Sequence, residues 1–285
     1  MAVVLSLLAA FSYGLSDFIG GVVSRRVSPW TIAFTSQLGG ALAVVVIAAV
    51  DGGSPGASDA AWAVLAGVGN GVGTAFLYRG LAAGRMGVVA PISGVGAALV
   101  PLTVGLVTGE RPGALAWAGI AAALPAIWLV TREPLPDPSE RSSGAGGAGG
   151  AATGVVDGVL AGLGFGLLFA ALGQIPEASG FLPLALNQVV GMAVVAALAT
   201  TMGQAFAPRR RLEYVGLLSG VLGATATVLF LAATQTGLLT IAAVITSLYP
   251  AFTVLLAAAL LRERIHRGQG GGLLLCAVAV ALIAA

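Results

Sequence analysis

Residues 247–275 read SLYPAFTVLLAAALLRERIHRGQGGGLLL, an apolar run that ends in a short charged segment and then becomes apolar again. The same pattern occurs earlier, at residues 94–119, as GVGAALVPLTVGLVTGERPGALAWAG. The Glu-Arg pairs of the two segments, Glu110-Arg111 and Glu263-Arg264, are 153 positions apart. The same offset relates six further pairs of identical residues: Gly67 and Gly220, Thr74 and Thr227, Gly84 and Gly237, Ala90 and Ala243, Leu102 and Leu255, Gly119 and Gly272. One constant offset over this length predicts an internal repeat, in which one hydrophobic unit occurs twice along the chain.

The composition places the chain in a membrane. Of its 285 residues, 58% are hydrophobic and 8% are charged, and the mean hydropathy is +1.01. Soluble domains carry about 25% charged residues, so a soluble fold is close to excluded. A helix that spans a bilayer needs about 20 apolar residues, so the chain has room for ten. The net charge of +2 is too small for a nucleic-acid footprint, and no nucleic-acid partner is expected.

The apolar segments predict ten helices, near residues 2–22, 30–50, 60–80, 86–107, 113–130, 153–173, 181–202, 212–234, 238–261 and 267–284. Between the fifth and the sixth lies TREPLPDPSERSSGAGGAGGAA, residues 131–152, whose proline, serine and glycine content is typical of a flexible linker. It divides the chain into a first half at 1–130 and a second half at 153–285.

An odd number of helices per half has a geometric consequence. Two halves of five helices must lie in the membrane in opposite orientations, and such inverted repeats are typical of transporters that bind substrate near the midplane. The predicted fold class is therefore an all-α polytopic membrane protein with ten transmembrane helices in two inverted five-helix repeats.

Arginine sets the expected orientation. The ends and following loops of odd-numbered helices hold twelve arginines, and we call this side the arginine-rich face: Arg25, Arg26, Arg79, Arg85, Arg132, Arg141, Arg209, Arg210, Arg211, Arg262, Arg264 and Arg267. The other side, the arginine-poor face, holds only Arg111. The positive-inside rule then predicts that the arginine-rich face is cytoplasmic and that both termini face outward.

The paired runs APISGVGAALVPLTVGLVTGERPGALAWAGIAAAL and TSLYPAFTVLLAAALLRERIHRGQGGGLLLCAVAVALI resemble the two EamA domains of the drug/metabolite transporter superfamily. The family's proline in helix 9, its following Glu-Arg and its glycine in helix 10 match Pro250, Glu263-Arg264 and Gly271 or Gly272. The first half departs from this pattern, because its prolines, at 91 and 101, do not align with Pro250. The resemblance implies a secondary carrier, often an exporter of amino acids, metabolites or drugs. It also implies cytoplasmic termini, which is opposite to the arginine count.

Three ionisable residues lie inside the predicted helices, where charge is costly and is a functional candidate by default. They are Asp17, Arg79 and Asp157, all toward the arginine-rich face. Two interpretations of Asp17 stay open: it lines a polar cavity and couples transport to protons, or it forms an ion pair with Arg79 or lies at the interface near Arg25. Asp157 either contributes to function or favours a helix N-terminus.

Polar and aromatic residues at helical spacing predict the lining of a central substrate cavity between helices 1, 3, 4 and their counterparts 6, 8, 9. The candidates are Tyr13, Asp17, Asn70, Thr74, Tyr78, Arg79, Phe165, Gln188, Thr227 and Tyr249. Gln37 and Gln188 occupy matching positions in helices 2 and 7. Interhelical hydrogen bonding, worth about 0.6 kcal/mol on average, is the alternative interpretation for any one of them.

Two further patterns indicate residues with structural rather than substrate-binding roles. Gly154, Gly158, Gly162 and Gly166 recur every fourth residue along helix 6, a stripe that lets helix backbones approach closely. Glu110 and Glu263 each end an apolar helix and precede an arginine, so we expect them in the headgroup region, orienting the next helix.

Several chemistries are not expected. There is no Walker loop, so ATP does not drive the protein directly. The single histidine and single cysteine cannot build a metal site, and no acid/base set supports an enzyme. No cofactor is predicted. The prediction is a secondary transporter, an exporter of a small metabolite, amino acid or drug-like solute, acting as a monomer or homodimer with proton coupling. The alternative is a flippase for a lipid headgroup. Thirteen arginines, no lysines and 43 glycines suggest a GC-rich bacterial genome, so the expected location is a bacterial plasma membrane, which the chain crosses several times.

Overall fold

The structure, a computed structural model, describes residues 1–51, 53–83, 86–131, 148–262 and 265–285. These residues form helices α1 (Ala2–Ser24), α2 (Pro29–Asp51), α3 (Ala57–Ala82), α4 (Met86–Val107), α5 (Ala114–Thr131), α6 (Ala148–Leu172), α7 (Leu182–Thr201), α8 (Val215–Thr236), α9 (Leu239–Thr246), α10 (Tyr249–Leu261) and α11 (Arg267–Ala284). Within the described residues, ten segments are long and apolar enough to span a bilayer. The expectation of a ten-span, all-α membrane protein is confirmed.

The structure changes two of the predicted boundaries. Helix α6 begins at Ala148, inside the segment expected to be a linker, and residues 132–147 of that segment lie outside the described residues. The ninth span, expected as one helix over 238–261, consists of the two helices α9 and α10.

The interruption between α9 and α10 lies at Ser247 and Leu248, just before Pro250. Proline has no N–H to donate to the carbonyl four residues back, and it disfavours helical backbone in the residue before it. Pro250 therefore stands in the first turn of α10, where the missing donor costs least. The prolines at 91 and 101 do not divide α4.

The halves pack against each other through contacts that come in pairs. Helix α3 packs on α6 and α7, and α8, its counterpart in the second half, packs on α1 and α2. Helices α2 and α7 meet through a reciprocal contact. A methyl group added at Gly40 would overlap the Gln188 side chain, and one added at Gly191 would lie 3.0 Å from the Gln37 side chain. Gly40 and Gly191, like Gln37 and Gln188, are 151 positions apart.

A second reciprocal pair joins α1 to α10 and α6 to α4. A methyl group added at Gly14 would lie 2.8 Å from the carbonyl oxygen of Tyr249, and one added at Gly166 would lie 2.9 Å from that of Gly96. Tyr249 and Gly96 are related by the offset of 153 positions. These contacts join equivalent positions of the two halves.

The glycine stripe of α6 lies against α4. Gly158 faces Ile92, Gly162 faces the backbone of Gly96, and Gly166 faces Val100. Gly154 is buried as well. Because these glycines carry no side chain, the two helix backbones can approach closely, and dispersion contacts between them replace contacts with lipid.

We expect Gly220→Val to lower the free energy of unfolding by about 1–3 kcal/mol or more, because overpacking forces a helix seam apart. A methyl group at Gly220 would overlap the carbonyl oxygen of Ser36, which is backbone and cannot rotate away. The matched control is Gly271→Val, since nothing lies within 4 Å of a methyl group there. Thermal unfolding in detergent measures both variants. Equal loss of stability at the two positions would contradict the close packing of α8 on α2 at Gly220.

Candidate functional site

A small cavity lies at the centre of the helix bundle, bounded by α1, α2, α3, α6, α7, α8 and α10. Nine of the ten residues predicted from the sequence line it: Tyr13, Asp17, Asn70, Thr74, Tyr78, Phe165, Gln188, Thr227 and Tyr249. Its volume is about 40 Å³, room for about three waters at 10–15 Å³ each. A pocket for a drug-sized ligand holds about 300–1,000 Å³, so the cavity would have to expand to take such a solute.

One wall of the cavity is a network of amide side chains. The amide nitrogen of Asn70 lies within hydrogen-bonding distance of three side-chain oxygens, those of Gln188 at 3.1 Å, Gln37 at 3.2 Å and Asn187 at 3.5 Å, which share its two hydrogens. Gln37 donates to the Thr74 hydroxyl at 3.3 Å, and that hydroxyl donates to Asn70 at 3.3 Å. The network joins α2, α3 and α7, so it couples both halves of the chain. Its amide groups can exchange these bonds for bonds to a polar solute.

A second polar wall consists of hydroxyl groups. The hydroxyl oxygens of Tyr13 and Thr227 are 2.8 Å apart, as are those of Tyr78 and Ser219. Ser16 donates to the Ser219 carbonyl, and Ser219 donates to the Ser16 carbonyl, both at 2.8 Å. These bonds join α1 and α3 of the first half to α8 of the second.

Aromatic rings complete the lining. The ring centroids of Tyr13 and Phe169 are 5.7 Å apart, and those of Tyr13 and Tyr249 are 6.3 Å apart. Behind them, Phe169 packs on the fully buried Phe230 at 4.6 Å. Together the three kinds of wall can hold a solute that has both an apolar body and hydrogen-bonding groups.

Asp17 carries the only formal charge among the described residues that line this cavity. Its carboxylate accepts no hydrogen bond from the part of the chain that the structure describes. The residue also borders two smaller clefts, one between α1, α3 and α10 and one between α3, α4 and α10. Asp17 therefore stands where three cavities meet, and a proton or a solute group can reach its carboxylate.

Arg79, the tenth predicted residue, lies outside the cavity. Its Nε donates to Oδ1 of the fully buried Asp157 at 2.9 Å, and its Nη2 contacts the same oxygen. The guanidinium carbon is 4.4 Å from the centroid of the Phe76 ring, a cation–π contact. The structure thus pairs Arg79 with Asp157, and the alternative of an Asp17–Arg79 ion pair does not hold.

Sequence reasoning missed several lining residues. Ser16, Ser36 and Phe169 border the cavity, as do Gly220 and Ala224. The serines are short polar residues inside apolar helices, and Phe169 follows Phe165 by one helical turn, so a periodicity argument could have found these three. Gly220 and Ala224 carry no such signal, because small apolar residues occur on every face of these helices.

Glu110 has a structural role that differs from the one expected. Its carboxylate accepts hydrogen bonds from the backbone N–H groups of Leu239 at 2.6 Å and Thr240 at 2.9 Å. It therefore caps the N-terminus of α9, where unpaired donors and the helix dipole favour negative charge. The contact ties the end of α4 to the second half of the chain. Glu263, its repeat counterpart, lies outside the described residues.

The described part of the chain places ten apolar, membrane-spanning segments around a small cavity with polar and aromatic walls, and this arrangement is typical of a polytopic membrane transport protein. The model of the EamA-like transporter family matches residues 1–132 and 152–285, which is nearly the whole chain. The chain belongs to the EamA-like transporter family, and the resemblance seen in its paired Glu-Arg segments is confirmed.

The fold also occurs in a solved structure described as "Crystal structure of protein", which is similar to this chain with a TM-score of 0.66. The similarity covers 98% of both chains at 16% identity. At that identity the likeness shows the fold alone. No curated protein matches the chain.

Proposed function

We propose that this protein is a secondary transporter that moves a small solute by alternating access through the central cavity, with Asp17 as the proton-coupling group. The observation that carries the proposal is the Asp17 carboxylate, which has no hydrogen-bonding partner among the described residues and lies in a cavity between the two halves. A carboxylate kept in such a place is costly unless a proton or a solute binds it.

The paired contacts between the halves support an inverted repeat. Gly40 meets Gln188 as Gly191 meets Gln37, and Gly14 meets α10 as Gly166 meets α4. An approximate two-fold axis in the membrane plane would produce such pairs, and it would pass through the central cavity. In transporters with this symmetry, the two halves rock about the site and expose it to each side in turn.

The charge of the cavity limits the solute. Asp17 contributes one negative charge, and the described lining residues contribute no positive charge. An anionic solute would find no partner there, whereas a neutral or cationic amino acid derivative, metabolite or drug-like solute would. The aromatic rings supply apolar and cation–π contacts. We place the protein in a bacterial plasma membrane and assign it the direction of export.

A flippase that binds an anionic lipid headgroup would need a cationic pocket inside the membrane. Of the three ionisable residues inside the predicted helices only Arg79 is cationic, and its guanidinium binds Asp157 beside Phe76. Within the described residues, the flippase is therefore left without the cationic site that it needs.

The test is solute flux in sealed proteoliposomes. A panel of amino acids and cationic dyes is measured for uptake and efflux, with and without a pH gradient, and empty liposomes serve as the control. We expect one class of neutral or cationic solute to move faster with the gradient than without it. If no solute of the panel moves faster than in empty liposomes, the assignment of these solutes is overturned. Faster movement of a fluorescent phospholipid, measured separately, would favour the flippase.

A further inference from the structure

A groove on the outer surface of the second half carries an inference that goes beyond the proposed function. It lies between α10 and α11, beside α1, and holds about 430 Å³, against about 40 Å³ for the central cavity. Every described residue that lines it is apolar. Leu255, Ala277 and Ala281 of its lining are exposed on membrane-spanning segments, so the groove faces the lipid.

The groove is open because the two helices pack elsewhere. Helix α11 packs on α5, and α10 packs on α1. The lining residues of α11 recur at the spacing of one helical face and are Leu273, Cys276, Ala277, Val280 and Ala281. Three of these five side chains are small, so they leave the space beside α10 unfilled.

The depth of the groove matches one leaflet of a bilayer. Leu273 and Ala281 are six and 14 residues after Arg267, so at about 1.5 Å per residue they lie about 9 and 21 Å below it. Leu248, 14 residues before Arg262, lies at the same depth as Ala281. Half of a bilayer with its headgroups is about 20–22 Å thick. The groove therefore extends from the upper part of the acyl chains to the midplane.

Positive charge lies at the upper end of the groove. The connection between α10 and α11 and the first residue of α11 supply three exposed basic side chains, Arg262, His266 and Arg267. Arginine binds phosphate through two parallel hydrogen bonds, and basic clusters next to membrane helices bind anionic headgroups. Basic residues above an apolar groove between the same two helices match a phosphate with an acyl chain below it.

The first half lacks both features at the equivalent positions, 153 residues earlier. The three basic residues correspond there to Gly109, Gly113 and Ala114. Ala277 and Ala281 correspond to the large residues Leu124 and Trp128. Leu124 packs against the apolar core, and α5 packs on α4. The charge and the groove therefore occur together in one half only, as expected for two parts of one site.

We propose that the groove between α10 and α11 binds one acyl chain of an anionic phospholipid from the leaflet at the arginine-rich face, with the phosphate on Arg262 and Arg267. The deep end of the groove reaches Leu248, at the interruption between α9 and α10. The lipid is a bound partner and not a transported solute, because the groove shares no described lining residue with the central cavity. Its binding does not depend on what the protein transports.

Native mass spectrometry of the full chain, purified in detergent, tests the binding. The probes are palmitoyl-oleoyl phosphatidylglycerol and phosphatidylcholine, which have the same acyl chains and differ in net charge. We expect one phosphatidylglycerol per chain, retained about 10-fold more than phosphatidylcholine. Arg262→Gln/Arg267→Gln should remove this preference, and Arg209→Gln/Arg211→Gln, an equal change of charge on the same face, should keep it. Equal retention of the two lipids by the native protein would overturn the proposal.

The first half supplies the residues for a variant that fills the groove. Ala277→Leu/Ala281→Trp should lower the retention of phosphatidylglycerol by about 5-fold, because the larger side chains take the place of buried methylene groups. The control is Leu274→Trp, since Leu274 is 69% exposed on the same helix and does not line the groove. Ala277→Val replaces the double variant if that protein is not monodisperse in size-exclusion chromatography.

Two results with the groove-filling variant would contradict the proposal. Unchanged retention of phosphatidylglycerol would show that the arginines bind headgroups without the groove. A native dimer that the variant dissociates would assign the groove to a second copy of this chain.

A photoreactive phosphatidylglycerol locates the acyl chain. It carries a diazirine at the end of one chain and is reconstituted with the native protein in liposomes. We expect the label in α10 and α11, near Leu248 and Ala281, and we expect it to decrease in the groove-filling variant. Labelling spread evenly over all lipid-facing helices is what unbound lipid would give, and it would overturn the proposal.

Discussion

Replacing Asp17 by asparagine is expected to lower gradient-driven solute flux by about 10- to 100-fold. The variant loses the bond between the solute and a charged carboxylate, and a hydrogen bond to a charged group contributes about 1.5–3 kcal/mol, where each 1.4 kcal/mol is tenfold. Asparagine has nearly the same shape but neither binds a proton nor carries charge. The remaining flux should also become insensitive to the pH gradient. The measurement is flux in proteoliposomes, normalised to the amount of folded protein.

Two control variants make this result specific to the cavity. Glu110→Gln removes a carboxylate that caps α9 outside the cavity, so it should lower stability and leave gradient-driven flux far closer to the native value. Asp17→Glu keeps the charge and should recover part of the flux. Equal loss in Asp17→Asn and Glu110→Gln, or full flux in Asp17→Asn, would rule out coupling through Asp17.

Asp157→Leu is expected to lower the free energy of unfolding by about 3–5 kcal/mol, because removal of one partner leaves the other charge buried without compensation. The Arg79 side chain is only 23% exposed and could not regain full hydration without moving. Thermal unfolding in detergent, with the native protein alongside, measures the effect.

The double variant Arg79→Leu/Asp157→Leu distinguishes an ion pair from simple packing. When both charges are removed, apolar side chains of similar size can fill the space, so much of the lost stability should return. A double variant whose loss equals the sum of the two single losses would show that the two residues do not interact energetically.

Much of the fold could be predicted because the membrane restricts what a chain can do. Each spanning segment must satisfy its own backbone hydrogen bonds, so long apolar runs become helices, and their number follows from counting. The boundary at 131–152 was less secure, because glycine and alanine suit a linker and also the start of α6 at Ala148. The division at Ser247 was not predicted, because proline alone does not decide where a helix divides: the prolines at 91 and 101 leave α4 whole.

The cavity lining was predictable for a related reason. A polar side chain on an apolar helix is costly where it contacts lipid, so it is expected to face the protein interior. Nine of the ten candidates line the central cavity. Arg79 was the exception. In the sequence it is an ionisable residue inside an apolar helix, as Asp17 is, so the sequence could not distinguish the two. Its partner, Asp157, is 78 positions away in the chain, and no spacing rule links them.

The sequence by itself determined the membrane class, the ten spans, the repeat and the polar residues with the strongest reason to be inside. These follow from the cost of polar groups in hydrocarbon, which acts on each segment separately. Only the tertiary structure decided which carboxylate Arg79 binds, that Asp17 is left without a partner among the described residues, and that a cleft at one face reaches it. Those outcomes depend on distances of a few ångströms between helices far apart in sequence, and such distances arise only when the helices pack.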